Sequence, residues 1–253
     1  MNRIIKKYHL LVQKYQEIEK ESSVNEIHDK RVLLRRIFPI LDACGIKPAK
    51  VKNGEKSFEL FGKLRDIQIQ LLMLESMDSM PEMAPYHAFL KEREEKYTAK
   101  ADHFSKKKEL RFPVIKRRQI IGKDQIVAKT EKSLLKLLET IRSHSIDDAE
   151  DIHKIRIEFK KFRYKVEMLS YIDDIDEAKL ELLNVYQDKL GEIQDYEVLI
   201  NGIRKYCRKR KLEAEDLTEV FEKEQDHLIE DFDSHIELFT LVCRDVIGMR
   251  NEE

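Results

Sequence analysis

The sequence contains no tryptophan and has only 7 glycines and 5 prolines among its 253 residues. Glycine and proline supply most tight turns, and a β-sandwich, β-barrel or doubly wound α/β fold needs a turn about every ten residues. The shortage excludes those classes and favours long helices joined by few connections. Hydrophobic residues, 42% of the chain, are numerous enough to build a core.

Cysteine is also scarce. Cys44, Cys207 and Cys243 lie far apart and form no Cys-x-x-Cys pair, so neither a disulfide framework nor a zinc site is expected. The first residues are charged from the third position onward, which does not fit a secretory signal. No run of about 18 uncharged apolar residues is present to span a membrane. These absences predict a soluble protein of a reducing cytoplasm.

Charged residues are abundant, 48 basic against 49 acidic, but they are unevenly distributed. Residues 104–123 carry eight cations against Glu109, and residues 203–211 carry six cations and no acid. Residues 213–237 carry eleven acids against Lys223. Such separation indicates cationic faces for an anionic partner, on a surface that otherwise stays acidic for solubility.

Helix-start and helix-end signals predict an all-α protein of eight helices. Their predicted ranges are 3–19, 23–44, 56–78, 85–111, 124–143, 148–171, 175–207 and 213–249. Ser23 and Glu26 form a capping box, and Asp147 or Asp148 is the expected N-cap of the sixth helix. A basic link near 112–119 divides the chain into two predicted four-helix halves, 1–112 and 113–253.

Two pairs of motifs recur in the same order. Residues 26–36 resemble 151–161 at an offset of 125, and residues 61–69 resemble 190–198 at an offset of 129. Two pairs at nearly the same offset predict an internal duplication.

Each copy of the first motif predicts a helix with an apolar face and, opposite it, a row of His, Arg and Lys side chains. Successive side chains in the row lie about one turn, roughly 5.4 Å, apart along the axis. That rise is comparable to the spacing of alternate phosphates in an extended chain of linked phosphates. A single cationic stripe is usually a solvated face, but two acid-free copies indicate anion binding.

At these residues the sequence resembles the CHAD (conserved histidine α-helical domain) family, whose members carry H-x-x-R-x-x-x-(R/K)-(R/K)-x-R and a downstream L-G-x-x-x-D, each twice. The matching first-motif residues are His28, Arg31, Arg35, Arg36, His153, Arg156, Lys160, Lys161 and Arg163. The resemblance covers residues 3–249. It implies two pseudo-symmetric four-helix bundles with a basic groove or pore between them.

The resemblance also implies non-catalytic binding of inorganic polyphosphate by these residues, and some family members are associated with polyphosphate granules. The first copy has Phe38 where the second has Arg163, so we expect the first half to bind less tightly or to contribute fewer contacts.

The second motif contributes Gly62 with Asp66 and Gly191 with Asp195. A glycine inside a helix costs about 1 kcal/mol relative to alanine, so both glycines predict a close helix–helix approach. The aspartates either orient the basic side chains from behind or are ordinary surface residues.

Further cations either line the groove or form solvated faces, and the sequence leaves both interpretations open. They are Arg117, Arg118, Lys129, Lys132 and Lys136. Arg204 and Arg208 either extend the groove or complement the negative end of a helix.

No carboxylate cluster or nucleotide-binding loop accompanies the His motifs, so neither catalysis nor a metal or other cofactor is expected. One alternative is a polyphosphate-processing hydrolase or phosphotransferase. Another is a general polyanion or nucleic-acid-binding protein, which the lack of aromatic residues on the basic faces disfavours. The sequence leaves open the preferred polyphosphate length, a homo-oligomer and a protein partner.

Overall fold

The computed structural model describes residues 3–18, 24–47, 50–76, 80–107, 110–116, 119, 122–144, 146 and 148–248. Its helices are α1 (Arg3–Glu17), α2 (Val24–Ala43), α3 (Gly54–Glu75), α4 (Ala84–Lys107), α5 (Lys123–Ser143), α6 (Ala149–Ser170), α7 (Glu177–Arg210), α8 (Glu215–Ser234) and α9 (Ile236–Asp245). Within the described residues there is no strand, only an isolated bridge between Lys52 and Arg111. The predicted all-α class is confirmed.

The last predicted helix, 213–249, is divided at His235 into α8 and α9. The backbone N–H of His235 donates to the carbonyl of Phe232, and its Nδ1 lies 2.7 Å from the carbonyl oxygen of Asp231. These two contacts satisfy carbonyl groups in the last turn of α8, for which α8 itself has no further N–H donors.

The chain forms two compact units, Met1–Ile121 and Gly122–Glu253. The division predicted from the sequence lay earlier, between 112 and 113. The connecting residues belong to the first unit because Tyr8 Oη donates to the carbonyl oxygen of Pro113 over 2.6 Å and Ile115 is buried.

In the first unit, α2 packs between α1 and α3, and α3 packs against α4. The predicted apolar face of α2 is buried, and it includes Ile27, Leu34, Ile37 and Leu41. Ile27 clusters with Phe61 and Leu64 of α3 and with Ala101 of α4. This burial turns the opposite side of α2, with its cations, away from the core.

In the second unit, α6 lies between α5 and α7, and α7 packs against α8 and α9. The ring of Phe239 in α9 is central to the core, since the ring centroids of Phe159 and Tyr186 lie 4.9 Å from it and that of Phe232 lies 5.5 Å from it. The apolar side of α6 is buried in this aromatic cluster, which determines the direction that its polar side faces.

Aspartate side chains cap the N-termini of α6 and α7. Asp148 accepts a hydrogen bond from the backbone N–H of Glu150 at the start of α6, over 2.7 Å. Asp176 accepts one from Ala178 at the start of α7, over 2.9 Å. The predicted cap at Asp148 is confirmed, whereas Asp147 and the capping residue Ser23 lie outside the described residues.

Candidate functional site

The second unit carries a cationic row on α6. His153, Arg156, Lys160 and Arg163 are all half-buried on α6, while Ile155, Phe159 and Phe162 of the same helix are buried in the core. The structure therefore places these four predicted residues on one side of α6, about one turn apart.

A column of α7 residues, which we call the α7 column, faces this row. Its members are Asn184, Gln187, Gly191 and Gln194, spaced by three, four and three residues, which is the repeat of one helix face. His153 Nδ1 is hydrogen-bonded to the side-chain oxygen of Gln194, and Arg163 Nη1 donates to the side-chain oxygen of Asn184. The column thus holds both ends of the cationic row.

The contact with Gln194 also orients the ring of His153. Because Nδ1 faces Gln194, the other ring nitrogen, Nε2, takes no part in this contact and is the ring atom that could meet a ligand.

Arg163 is largely enclosed. Its side chain is 13% exposed, it lies 3.9 Å from a carboxylate oxygen of Glu167, and it also lies over the ring of Tyr164 at 5.1 Å. Together with the bond to Asn184, these contacts engage the guanidinium inside the unit. A role for Arg163 in ligand binding stays a prediction.

Glu158 binds two of the predicted cations. Lys161 Nζ lies 2.7 Å and Lys136 Nζ of α5 lies 3.2 Å from its Oε1, and Glu158 is only 8% exposed. Burial opposes ionisation of this carboxyl, but the two ammonium groups outweigh it and lower its pKa. Lys161 therefore shares this carboxylate with Lys136 of α5. Lys129 and Lys132 of α5 are exposed.

The row on α2 in the first unit has a different environment. His28 and Arg36 are exposed, whereas Arg31 and Arg35 are half-buried. The guanidinium carbon of Arg31 lies 5.3 Å from the centroid of the Phe58 ring on α3. In this unit an aromatic ring of α3 thus supports the arginine that follows the motif histidine.

The two glycines of the second motif differ. A Cβ atom added at Gly62 would lie 2.9 Å from Nη1 of Arg31, so the close neighbour of this glycine is the end of an arginine side chain, and a close approach of the two helices there stays a prediction. At Gly191 an added Cβ would have nothing within 4 Å among the described residues, so the same prediction is wrong for Gly191.

His28 has a lowered pKa. Burial is the largest cause, the guanidinium of Arg65 on α3 is next, and Arg35 and Arg31 act in the same direction, while Asp29 opposes them. Arg65 occupies, at the offset of 129, the position that Gln194 has in the second unit. Neither Arg65 nor Gln194 was predicted from the sequence as a site residue, although the offset of 129 pairs them.

Phe38, which stands at the position of Arg163, packs against the site. Its ring centroid lies 5.9 Å from that of Phe58, with the ring planes at 61°. The missing cation is thus replaced by a ring that supports the ring beneath Arg31.

The residues predicted to extend the groove or to orient the cations differ in exposure and in their partners. Arg204 Nη2 lies 2.9 Å from a carboxylate oxygen of Glu222 on α8, and Arg208 lines a depression together with Arg204 and the acids at the start of α8. Asp66 is exposed and Asp195 is half-buried, and their orienting role stays a prediction. Arg117 and Arg118 lie outside the described residues.

In the described part of the chain, none of the helices is both long and apolar enough to cross a membrane. No group of three or more His, Cys, Asp or Glu side chains in this part is arranged to hold a metal ion.

Comparisons with known proteins connect this arrangement to one family. The sequence model of the CHAD domain matches residues 8–204. The crystal structure of the CHAD domain from the plant Ricinus communis is similar, with a TM-score of 0.65 and 15% sequence identity, over 98% of this chain and 90% of that chain. A comparison with curated proteins found no match. At this identity the structural likeness shows the fold alone.

Proposed function

We propose, since the chain belongs to the CHAD domain family, that it binds inorganic polyphosphate through the cationic rows of α2 and α6. One observation carries the proposal: each unit presents a His and two further cations about one turn apart, on the side of a helix opposite its buried face. Polyphosphate has about one negative charge per residue and no base to read, so cations in register suffice for recognition.

The side chains have complementary parts in this binding. Arg31, Arg156 and Arg35 offer paired N–H donors to phosphate oxygens, whereas Lys160 acts as a point charge. His153 keeps Nδ1 on Gln194 and presents Nε2 to the ligand. The predicted groove between the halves stays a prediction.

The proposal is of binding without catalysis. Hydrolysis of a phosphoanhydride needs carboxylates that hold Mg²⁺ or an activated nucleophile. The rows on α2 and α6 offer cations and histidine, and the carboxylate of Glu158 is engaged by Lys136 and Lys161. Release of orthophosphate from polyphosphate with added Mg²⁺ would instead identify the hydrolase alternative.

The test is a titration with long-chain polyphosphate at about 0.15 M salt, alongside pyrophosphate, orthophosphate and single-stranded RNA. We expect tight binding that depends on chain length. The double variant Arg31→Ala with Arg156→Ala should weaken it by roughly tenfold or more, because each arginine makes charge-assisted hydrogen bonds.

The matched control carries the same change of charge. Lys63→Ala with Lys154→Ala removes one cation from each unit, an exposed one and a half-buried one, and both lysines are already bound to nearby acids. This control should bind nearly as the wild type does. Equal losses in the two double variants, or RNA binding as tight as polyphosphate binding, would instead show a general polyanion surface.

The proposal also places the protein in the cytoplasm, in contact with polyphosphate granules where these form. A fluorescent fusion should colocalise with a polyphosphate stain, and the double variant Arg31→Ala with Arg156→Ala should become diffuse.

A further inference from the structure

The guanidinium of Arg31 lies against one aromatic ring and one glycine of α3, and a second ring, from α2, supports the first. Phe58 lies beneath the guanidinium at 5.3 Å, within the range of a cation–π contact. Phe38 packs edge-on against Phe58 from α2 at 5.9 Å. Gly62, one turn beyond Phe58 on α3, leaves the space that Nη1 of Arg31 enters. We call Phe38, Phe58 and Gly62 the Arg31 socket.

The second unit has no such socket at the aligned positions. At the offset of 129, Phe58 corresponds to Gln187, and at the offset of 125, Phe38 corresponds to Arg163. Gly191, which corresponds to Gly62, has nothing within 4 Å of an added Cβ in the described part of the chain. The aligned positions therefore provide a ring for Arg31 in the first unit, whereas the ring contact in the row of the second unit is that of Arg163 with Tyr164.

We propose that Phe58, backed by Phe38 and flanked by Gly62, is a positioning residue that holds the Arg31 guanidinium in the orientation that binds phosphate. The proposal rests on the proposed function of Arg31. An arginine side chain has many rotamers, and ordering them on binding lowers affinity. A ring that orders the guanidinium beforehand removes part of that loss. Phe38 then compensates in part for the cation that the first row lacks.

The first measurement needs no ligand. A guanidinium over an aromatic face has its side-chain N–H proton signals shifted upfield by the ring current, which NMR detects directly. We expect this shift for Arg31 in the wild type and in Phe58→Tyr, and its loss in Phe58→Leu. Gln187→Leu, the matched change in the second unit, should leave the Arg31 signal unchanged.

The second measurement is the affinity for long-chain polyphosphate. Phe58→Leu should weaken binding roughly threefold to tenfold, as expected for loss of a partly desolvated cation–π contact, while Phe58→Tyr should restore it. In an Arg31→Ala background, Phe58→Leu should have no further effect, because the group that it positions is absent. If Phe58 had only a structural role, Phe58→Leu would lower the affinity for polyphosphate equally in the wild-type and Arg31→Ala backgrounds.

The outcomes separate the two proposals. If the wild type does not bind polyphosphate, the proposed function fails, and the NMR signal still shows whether the socket orders Arg31. If the wild type binds but Phe58→Leu loses nothing, or loses equally in the Arg31→Ala background, the positioning role is overturned. An absent ring-current shift in the wild type overturns it as well. If Phe58→Leu does not fold, Phe58→Met provides the same comparison with an adaptable side chain of similar size.

Discussion

The two histidines that define the repeated motif have different neighbours. His153 is hydrogen-bonded to the neutral amide of Gln194, whereas His28 lies near the cation Arg65. The same residue type at the same motif position therefore has a different electrostatic role in each unit. The difference has a measurable consequence for binding.

We predict that the affinity for polyphosphate rises as the pH falls from about 8 to about 6. The lowered pKa of His28 leaves its ring neutral near pH 7 in the free protein, and bound phosphate would raise that pKa. Binding then takes up a proton, and linkage makes binding tighter at lower pH. Titrations at several pH values check this.

The variant His28→Gln should lose a measurable part of this pH dependence. His227→Gln, on α8, is the control and should keep all of it. Full pH dependence in His28→Gln would show that another group takes up the proton.

The two motif glycines allow a matched pair of substitutions. Gly191→Ala should raise the free energy of unfolding by up to about 1 kcal/mol, because alanine favours helix and the added Cβ meets open space. Gly62→Ala should gain less or lose stability, since its Cβ would lie 2.9 Å from Nη1 of Arg31. Urea unfolding measures both. Equal gains would mean that Arg31 moves aside without cost.

At the scale of elements, each cationic helix is oriented by an adjacent helix. The partner of α6 is the α7 column, and the partner of α2 is the face of α3 that carries Phe58, Gly62 and Arg65. A third contact joins α5 to α6 through Glu158, which binds one lysine from each helix.

We predict that Glu158→Gln tightens polyphosphate binding while lowering stability. The change removes the charge that engages Lys136 and Lys161, so both ammonium groups become available to the ligand. Losing hydrogen bonds to a buried carboxylate should cost roughly 1–3 kcal/mol of the free energy of unfolding. Titration and urea unfolding of the same variant measure the two opposite effects.

Glu150→Gln is the control for this prediction. Glu150 is an exposed partner of Lys154, which lies outside the predicted site, so neither quantity should change much. Weaker polyphosphate binding by Glu158→Gln would show that Glu158 positions the lysines for the ligand instead of competing with it.

At the scale of the whole molecule, the net charge is only −1, so general attraction does not draw a polyanion to this protein. The charges are separated instead: acids are concentrated along α8, and part of the basic end of α7 is paired with them, as in Arg204 with Glu222. The rows of α2 and α6 consist of His, Arg and Lys side chains, so we expect each row to be a local site of positive potential.

We predict a steep decrease of polyphosphate affinity with salt, because binding releases counterions from the ligand. By analogy with nucleic acids, each lost contact should reduce the slope of log affinity against log salt by about 0.7–0.9. Arg31→Ala with Arg156→Ala should therefore reduce it by about 1.4–1.8. Titrations at four salt concentrations measure this slope for each protein. A slope of the double variant equal to that of the wild type would exclude both arginines from the contacts.

The cross-helix partners show where prediction from the sequence ends. The offset of 129 pairs Phe58 with Gln187 and Arg65 with Gln194, but it does not show that these residues face the cationic rows. That depends on how α3 and α7 turn about their axes when their apolar sides pack. The same limit explains the wrong prediction for Gly191. The sequence shows that a glycine inside a helix costs stability, but only the packing of the helices determines which atoms lie near it.

The sequence by itself determined the helical class, most helix ranges and the composition of the two cationic rows, because helix periodicity, caps and the scarcity of turn residues act over short distances. The tertiary structure alone decided what surrounds each cation: a ring for Arg31, amides for His153 and Arg163, and a shared carboxylate for Lys136 and Lys161. Those partners lie on other helices, and packing of the core brings them together.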